Sequence, residues 1–491
     1  MSITPSLSPL SSDQFGPPEA AHLLRRAGFG PTPAKVDELV ALGPDAAVAA
    51  MVDVQAVERG DIKSQFDLDP DVRRPLTDDE KELRRKAREE DDQDARSELE
   101  MLRNEQNRAD RRMMIELRNA WVQWMTQTPQ PFEERMTLFW HGHFATRARD
   151  VRDAYLMAQQ NCFLRDHAVD SFAVLAAGII HDPAMLKFLN NDRNNRKRPN
   201  ENLARELMEL FTLGEGNYTE QDIRQGARAL TGYFVDDNDF RFRKYAHDPD
   251  EKTLFSRKGD FDGDDFVRIL LAQPACSQFI AFKLYRHFVA DIPEDPKLAP
   301  AAAKQVIVTL AEQLRADDYR LKPMLTRLMR SEHFYDPGVV GQQIKSPALV
   351  AVGTARMLGT PLRRPLRVCQ AMAMAGQDLF DPPNVAGWDG GRSWINTSTL
   401  FVRQNLCAYL IAGEGKDKDA YDLTPVREAL GDASGPDAVR VLANWLVGHH
   451  LPDERRQPLN DFVKHTGSLD DDRVLKGLLL LITAMPEYQL T

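Results

Sequence analysis

Two histidines flank one glycine at the end of an apolar run in "FWHGHF", Phe139 to Phe144. Imidazole is the commonest metal ligand and the side chain best suited to carry protons near neutral pH. On a helix that continues through Gly142, residues two apart point about 200° away from each other, so His141 and His143 could not share an ion. If Gly142 ends the helix, His141 falls on the last turn and His143 in the loop, where both rings converge. The competing reading is a plain helix C-terminus, where imidazole suits the negative end of the dipole and bonds backbone carbonyls.

Carboxylates supply a second candidate. In "PNENLARELMEL" Asn200 can cap a helix, and Glu206 and Glu209, three apart, lie on one face, where they could ligate a metal or act as acid and base. The same letters make a salt-bridge ladder, with Glu201, Arg205 and Glu209 spaced by four. Leu203, Leu207, Leu210 and Phe211 mark that helix as buried, which makes its charges harder to attribute to solvent. In "YAHDPDEKT" His247 and Asp248 could add a ligand and a general base; the alternative is a turn in which Asp248 binds its own backbone. The similar His181–Asp182 pair in "IIHDPAM" precedes proline and helix, so Asp182 reads as an N-cap.

The loop "DPPNVAGWDGGRSWIN", residues 381–396, carries Asn384, Trp388, Asp389, Trp394 and Asn396. Flat apolar rings beside hydrogen-bonding groups suit stacking on a sugar or another polar ligand. Its tryptophans could equally plug the loop into the core. No GxxxxGK[ST], GxSxG, HExxH or dinucleotide fingerprint occurs, so P-loop, serine-hydrolase and common zinc-protease chemistry lack support. "GDFDGDD" lacks the spacing and terminal glutamate of an EF-hand and reads as a capped helix start.

The elements that must position these residues are helices. Thr32, Pro33, the stripe Val36, Leu39 and Val40, and Gly43 give one short helix its cap, first turn, buried face and stop. Thr77 and Glu80 form a capping box that opens a stretch to Met125 without proline or glycine; its first part is almost wholly charged and reads as a helical arm. Strand-like letters occur only between Tyr233 and Phe255, predicting one small hairpin. The expected fold is therefore all-α (mainly α), a multi-helix array with one small β-hairpin and a long charged helical arm. At 491 residues several subdomains are expected, drawn at 1–76, 77–125, 126–290 with the candidate site and hairpin, and 291–491 with the glycine-tryptophan loop.

A net charge of −11 argues against a nucleic-acid or anionic-membrane surface. The longest apolar run, "VLKGLLLLITAM", is interrupted by Lys476 and is shorter than the roughly 20 residues of a membrane span, so it reads as a buried helix. The start "MSITPSLSPLSSDQFGPPEA" has no basic and apolar leader pattern, which predicts a cytoplasmic location. Cys162, Cys276, Cys369 and Cys407 are widely spaced in apolar contexts and read as buried thiols.

In order along the chain, "AAHLLRRAGFGPT", "RMTLFWHGHF", "NENLARELMELFTLG", "YTEQDIRQGARALTGY", "HDPDEKT", "ILLAQPACSQFIAFKLYRHFV", "IKSPALV" and "DPPNVAGWDGGRSWIN" together resemble the bacterial domain-of-unknown-function family numbered 1800. The resemblance implies a helical protein, frequent export, and a neighbouring phosphatase- or sulfatase-like protein as a partner; it carries no reaction. Two functional readings follow. One is a metal-assisted hydrolase of a polar or carbohydrate-like substrate, with one divalent ion held by His141, His143 and His247, Glu206, Glu209 and Asp248 as catalytic groups, and the tryptophan loop over the substrate. The other is a non-catalytic interaction or maturation factor for the phosphatase- or sulfatase-like partner.

Overall fold

A computed structural model describes residues 3–54, 70–73, 77–89, 92–413, 422–448 and 451–491. The fold is mainly helical, as the spacing of apolar residues predicts. Helix α1 spans Pro17–Ala27 and α2 spans Pro33–Val52. Thr32 caps α2 through the Lys35 N–H, and Gly43, at φ 76°, breaks its regular turn where the stop is predicted.

The charged stretch is two helices. Thr77 and Glu80 form the reciprocal cap that starts α3, Asp78–Glu89. Asp92 accepts from the N–H groups of Asp94 and Ala95 and starts α4, Gln93–Gln127; residues 90–91 lie outside the described set. The arm is therefore a helical hairpin with its own small contact of Leu83, Ala87, Ala95 and Leu99. Beyond it α4 turns apolar and enters the body through Met113, Leu117, Trp121 and Met125.

Next come α5, Pro131–His143, and α6, Ala154–Asp166. Helix α7, Asn202–Glu206, widens at once into a π-helical turn, Leu207–Thr212, closed by bonds from Leu213 N–H to Met208 O and from Thr212 Oγ1 to Leu207 O. Helix α8 is Glu220–Ala229. The strand-bearing segment lies where predicted but forms two hairpins. β1, Tyr233–Asp236, pairs antiparallel with β2, Asp239–Phe242, and β3, Lys252–Leu254, with β4, Arg257–Gly259. Each turns on two residues with positive φ, Asp237–Asn238 and Phe255–Ser256, the twist that two-residue hairpin loops require. The proline-bearing "PDE" thus separates two hairpins, whereas the sequence suggested the turn of one.

The "GDFDGDD" segment caps α9, Gly263–Leu271, through Asp262, and Asp182 caps its own short helix through the Met185 N–H. Helix α10 is Pro274–Phe288, α11 Pro347–Leu358, α12 Pro365–Met374, α13 Thr397–Ala412, α14 Gly435–Val447 and α15 Asp472–Ala484. Three large apolar cores hold the body together. The first gathers side chains from Leu10 to Val339, the second from Phe29 to Leu410, the third from Val350 to Tyr488. The four cysteines are buried and free. Among the described residues no helix is long and apolar enough to cross a membrane.

Candidate ligand-binding cleft

Helix α5 carries the histidine pair and is anchored by a buried charge. Glu134, on its first turn, is fully buried and takes Arg165 of α6 at 2.5 and 3.2 Å and the indole N–H groups of Trp121 and Trp124 of α4 at 2.7 and 3.1 Å. A carboxylate removed from water needs such partners, and here they tie three helices together.

Gly142 does not end the helix. The helical turns run on to His143, and the Phe144 N–H still bonds Trp140 O at 2.8 Å. His141 and His143 therefore take different surroundings. His141 Nε2 accepts the Phe380 N–H at 3.0 Å, which places its proton on Nδ1, and its ring meets Trp121 and Phe380 edge-on. His143 Nε2 donates to Phe211 O at 2.9 Å, leaving the Nδ1 lone pair without a partner, in a nest that includes Phe139, Trp140, Phe144, Phe172 and Phe211. Burial pushes both imidazoles down to about 3, so both are neutral at physiological pH.

The carboxylate candidates lie elsewhere. Glu209, in the π-helical turn, accepts a hydrogen bond from the Tyr218 hydroxyl. Glu206 is half-buried and held above the usual carboxylate range by burial and by the charge of Glu209. Arg205 bridges Glu201 at 3.3 Å and Glu220 at 3.0 Å, so the ladder reading is realised in part, with Glu220 in place of Glu209. Asp248 takes Arg228 at 2.6 and 3.1 Å and accepts the Asp250 N–H, an Asx turn with a salt bridge. The His247 ring bonds Thr231 O through Nδ1 at 2.9 Å. His141, His143 and His247 share no neighbour in these contacts. Among the described residues no three His, Cys, Asp or Glu side chains stand where they could hold one ion. The donor set expected for a divalent metal is not assembled.

The glycine-tryptophan loop does reach α5. Gly142 in the middle of "HGH" lets it in: a Cβ there would stand 3.3 Å from Trp388 Cε3, and a Cβ on Gly387 would come within 2.2 Å of Gly142 O. Gly391 lies equally tight on the Asp291 carboxylate. Asn384 and Asn396 shape the loop, accepting the Ala386 N–H at 2.8 Å and the Thr399 N–H at 2.9 Å, the latter as the N-cap of α13. Between loop and helices lies a cleft of about 200 Å³. Its walls include Phe139 and His143 of α5, Lys283 and Arg286 of α10, and Trp388 and Trp394 of the loop. Arg135, His287, Asp291 and the exposed Asp389 also border it.

The family model for a protein of unknown function, DUF1800, matches residues 22–490. The chain belongs to the DUF1800 family. No curated protein and no solved structure matches it.

Of the site residues predicted from this DUF1800 sequence, the cleft collects His143, Trp388, Asp389 and Trp394, while His141 touches Trp388 from the far side of α5 with ring centres 5.7 Å apart. Glu206, Glu209, His247, Asp248, Asn384 and Asn396 do not line it. Sequence reasoning missed the cations Arg135, Lys283 and Arg286. The signal was present in "FKLYRHF", where Lys283, Arg286 and His287 fall at i, i+3 and i+4 on one helical face.

Proposed function

We propose that this cleft binds a small polar, carbohydrate-like ligand. The observation that carries the reading is the loop docking, in which close glycine contacts fix Trp388 and Trp394 as walls of a cavity of mixed apolar and charged lining. Two aromatic walls beside charged groups suit a ring with one apolar face and hydroxyl edges. At about 200 Å³ the cavity is smaller than the roughly 300–1,000 Å³ of drug-sized sites, so it suits a single ring. Metal-assisted hydrolysis draws less support, because among the described residues no three His, Cys, Asp or Glu side chains stand where they could hold one ion. Titrating the protein with neutral and acidic monosaccharides while following tryptophan fluorescence tests the reading. A saturable change in the wild type that disappears in Trp388→Ala is the expected result. No response to any sugar, or an unaltered one in the variant, would overturn it.

A further inference from the structure

Several buried arginines among the described residues have partners that account for them. Arg165 has the Glu134 carboxylate, Arg356 bonds the carbonyls of Met125, Thr126 and Thr128 at 2.9–3.1 Å, and Arg25 bonds Trp445 O at 2.6 Å. Arg135, on the wall of the cleft, is different. It is 2% exposed; among the described residues its Nε has no partner and its one hydrogen bond is a long 3.5 Å contact to Arg26 O, and its guanidinium otherwise rests 5.9 Å from the centre of the Phe29 ring. Lys283, which lines the same cleft from α10, has no hydrogen bond or ion pair among the described residues and rests over Phe279, 5.5 Å from the ring centre. Arg286 is balanced by Asp291 and Glu294, each at 3.6 Å. Behind Arg135 the fully buried Arg26 bonds only neutral groups, Gln343 Oε1, Val289 O and Val339 O, so its charge also goes uncancelled. His143 and His287 bring no negative charge, and burial keeps both from protonating. The acid left unpaired at the cleft is the exposed Asp389.

An isolated cation withdrawn from water is costly, and attraction to an anion is strongest where the dielectric is low. We infer that the cleft is built for an anionic group, a carboxylate, sulfate or phosphate carried on the ligand, held between Arg135 and Lys283. The inference rests on the ligand-binding reading above and names the chemistry of its occupant. The guanidinium offers a forked donor to paired anionic oxygens and the ammonium a second, point-like charge. The lowered pKa of Lys283, caused by burial and the neighbouring Arg286 charge, is the unrelieved state that an anion would reverse.

The test measures binding of glucose, glucuronate, glucose 6-sulfate, glucose 6-phosphate, inorganic sulfate and inorganic phosphate to the wild type, Arg135→Met and Lys283→Met. Melting temperature without ligand checks folding: Arg135→Met should melt at or above the wild-type temperature because it removes a buried charge, and Lys283→Met, at a half-buried position, should melt close to it. At least one acidic sugar should bind about tenfold or more tighter than glucose, with that preference lost in both variants and weakened by salt. The acidic sugar preferred identifies which anion the site takes. Acidic sugars binding no tighter than glucose, or a preference that survives both variants, would refute the anion site while leaving the sugar-binding reading intact. Inorganic sulfate or phosphate raising the melting temperature of the wild type but not of the variants, with no sugar bound, would uphold the anion site and defeat the sugar reading. No response to any of the six would overturn both.

Discussion

The backbone of Gly387 rests against the carbonyl oxygen of Gly142, so close that a Cβ on Gly387 would sit 2.2 Å from that oxygen. Gly387 also holds φ at +88°, where a side chain is strained regardless of space. Gly387→Ala should therefore lift the loop from α5, costing roughly 1–3 kcal/mol in denaturant unfolding. Ligand response in the cleft should weaken more than stability does. A variant that binds normally would show that Trp388 holds its place without this contact.

Glu134 is the only acid that Arg165 bonds within hydrogen-bonding distance among the described residues. Glu134→Gln should destabilise the protein by about 3–5 kcal/mol, since it leaves a buried guanidinium without its anion. The double replacement Glu134→Gln with Arg165→Met should recover much of that loss, since the amide oxygen can still accept from the Trp121 and Trp124 indoles. Urea titrations of the three proteins measure both effects, and a single variant as stable as the wild type would contradict the buried pair's role.

The pH dependence has a definite sign. His141 and His143 are held at about 3 in the fold, against an ordinary value of 6.5. Between those values the unfolded chain takes up protons that the native state refuses, so stability falls as pH drops from about 6.5 toward 3. Asp182 works oppositely: burial raises its carboxyl to about 7 from 3.8, so the native state holds the extra proton and this group's contribution is lost as pH rises through that window. Urea midpoints at several pH values should thus slope less steeply on the acid side in His143→Gln than in the wild type, and more steeply in Asp182→Asn. Parallel curves for all three would exclude these groups as the source.

Deleting residues 78–108 should leave a cooperatively folding body. The helical hairpin keeps to its own small apolar contact, and its other interactions include exposed pairs such as Lys81–Asp78 and Arg85–Glu82, which water and salt screen. Calorimetry of the shortened chain would show a single transition within a few degrees of the original. A broad or missing transition would mean that the arm supports the core.

Much of the helical frame was legible because caps and apolar spacing are local signals. The Thr32 cap, the Thr77–Glu80 box, Asp182 and Asp262 all act as their neighbours in sequence require. The strand region was also visible, but its pairing was not, because Asp237–Asn238 and Phe255–Ser256 adopt left-handed turns without a glycine to announce them. Gly142 misled for a related reason. Its role is to admit Trp388, a residue far along the chain, and nothing within a helical turn of it reveals that. The same holds for Glu206 and Glu209: their spacing suggested a site, yet their surroundings depend on Tyr218 and a π-helical widening that no local pattern marks. Membership of the DUF1800 family was readable from the strung motifs, and the match from 22 to 490 bears it out.

The walls of the cleft come from segments near residues 135–143, 283–291, 343–349 and 377–394. Bringing such distant stretches together carries a loop-closure cost that only the assembled cores repay. A fragment that stops before Asp378 would lack both tryptophans and so could not form it. An occupant would recognise the completed native chain alone, and by mass action its binding would raise the stability of the whole molecule in proportion to the logarithm of its concentration above Kd.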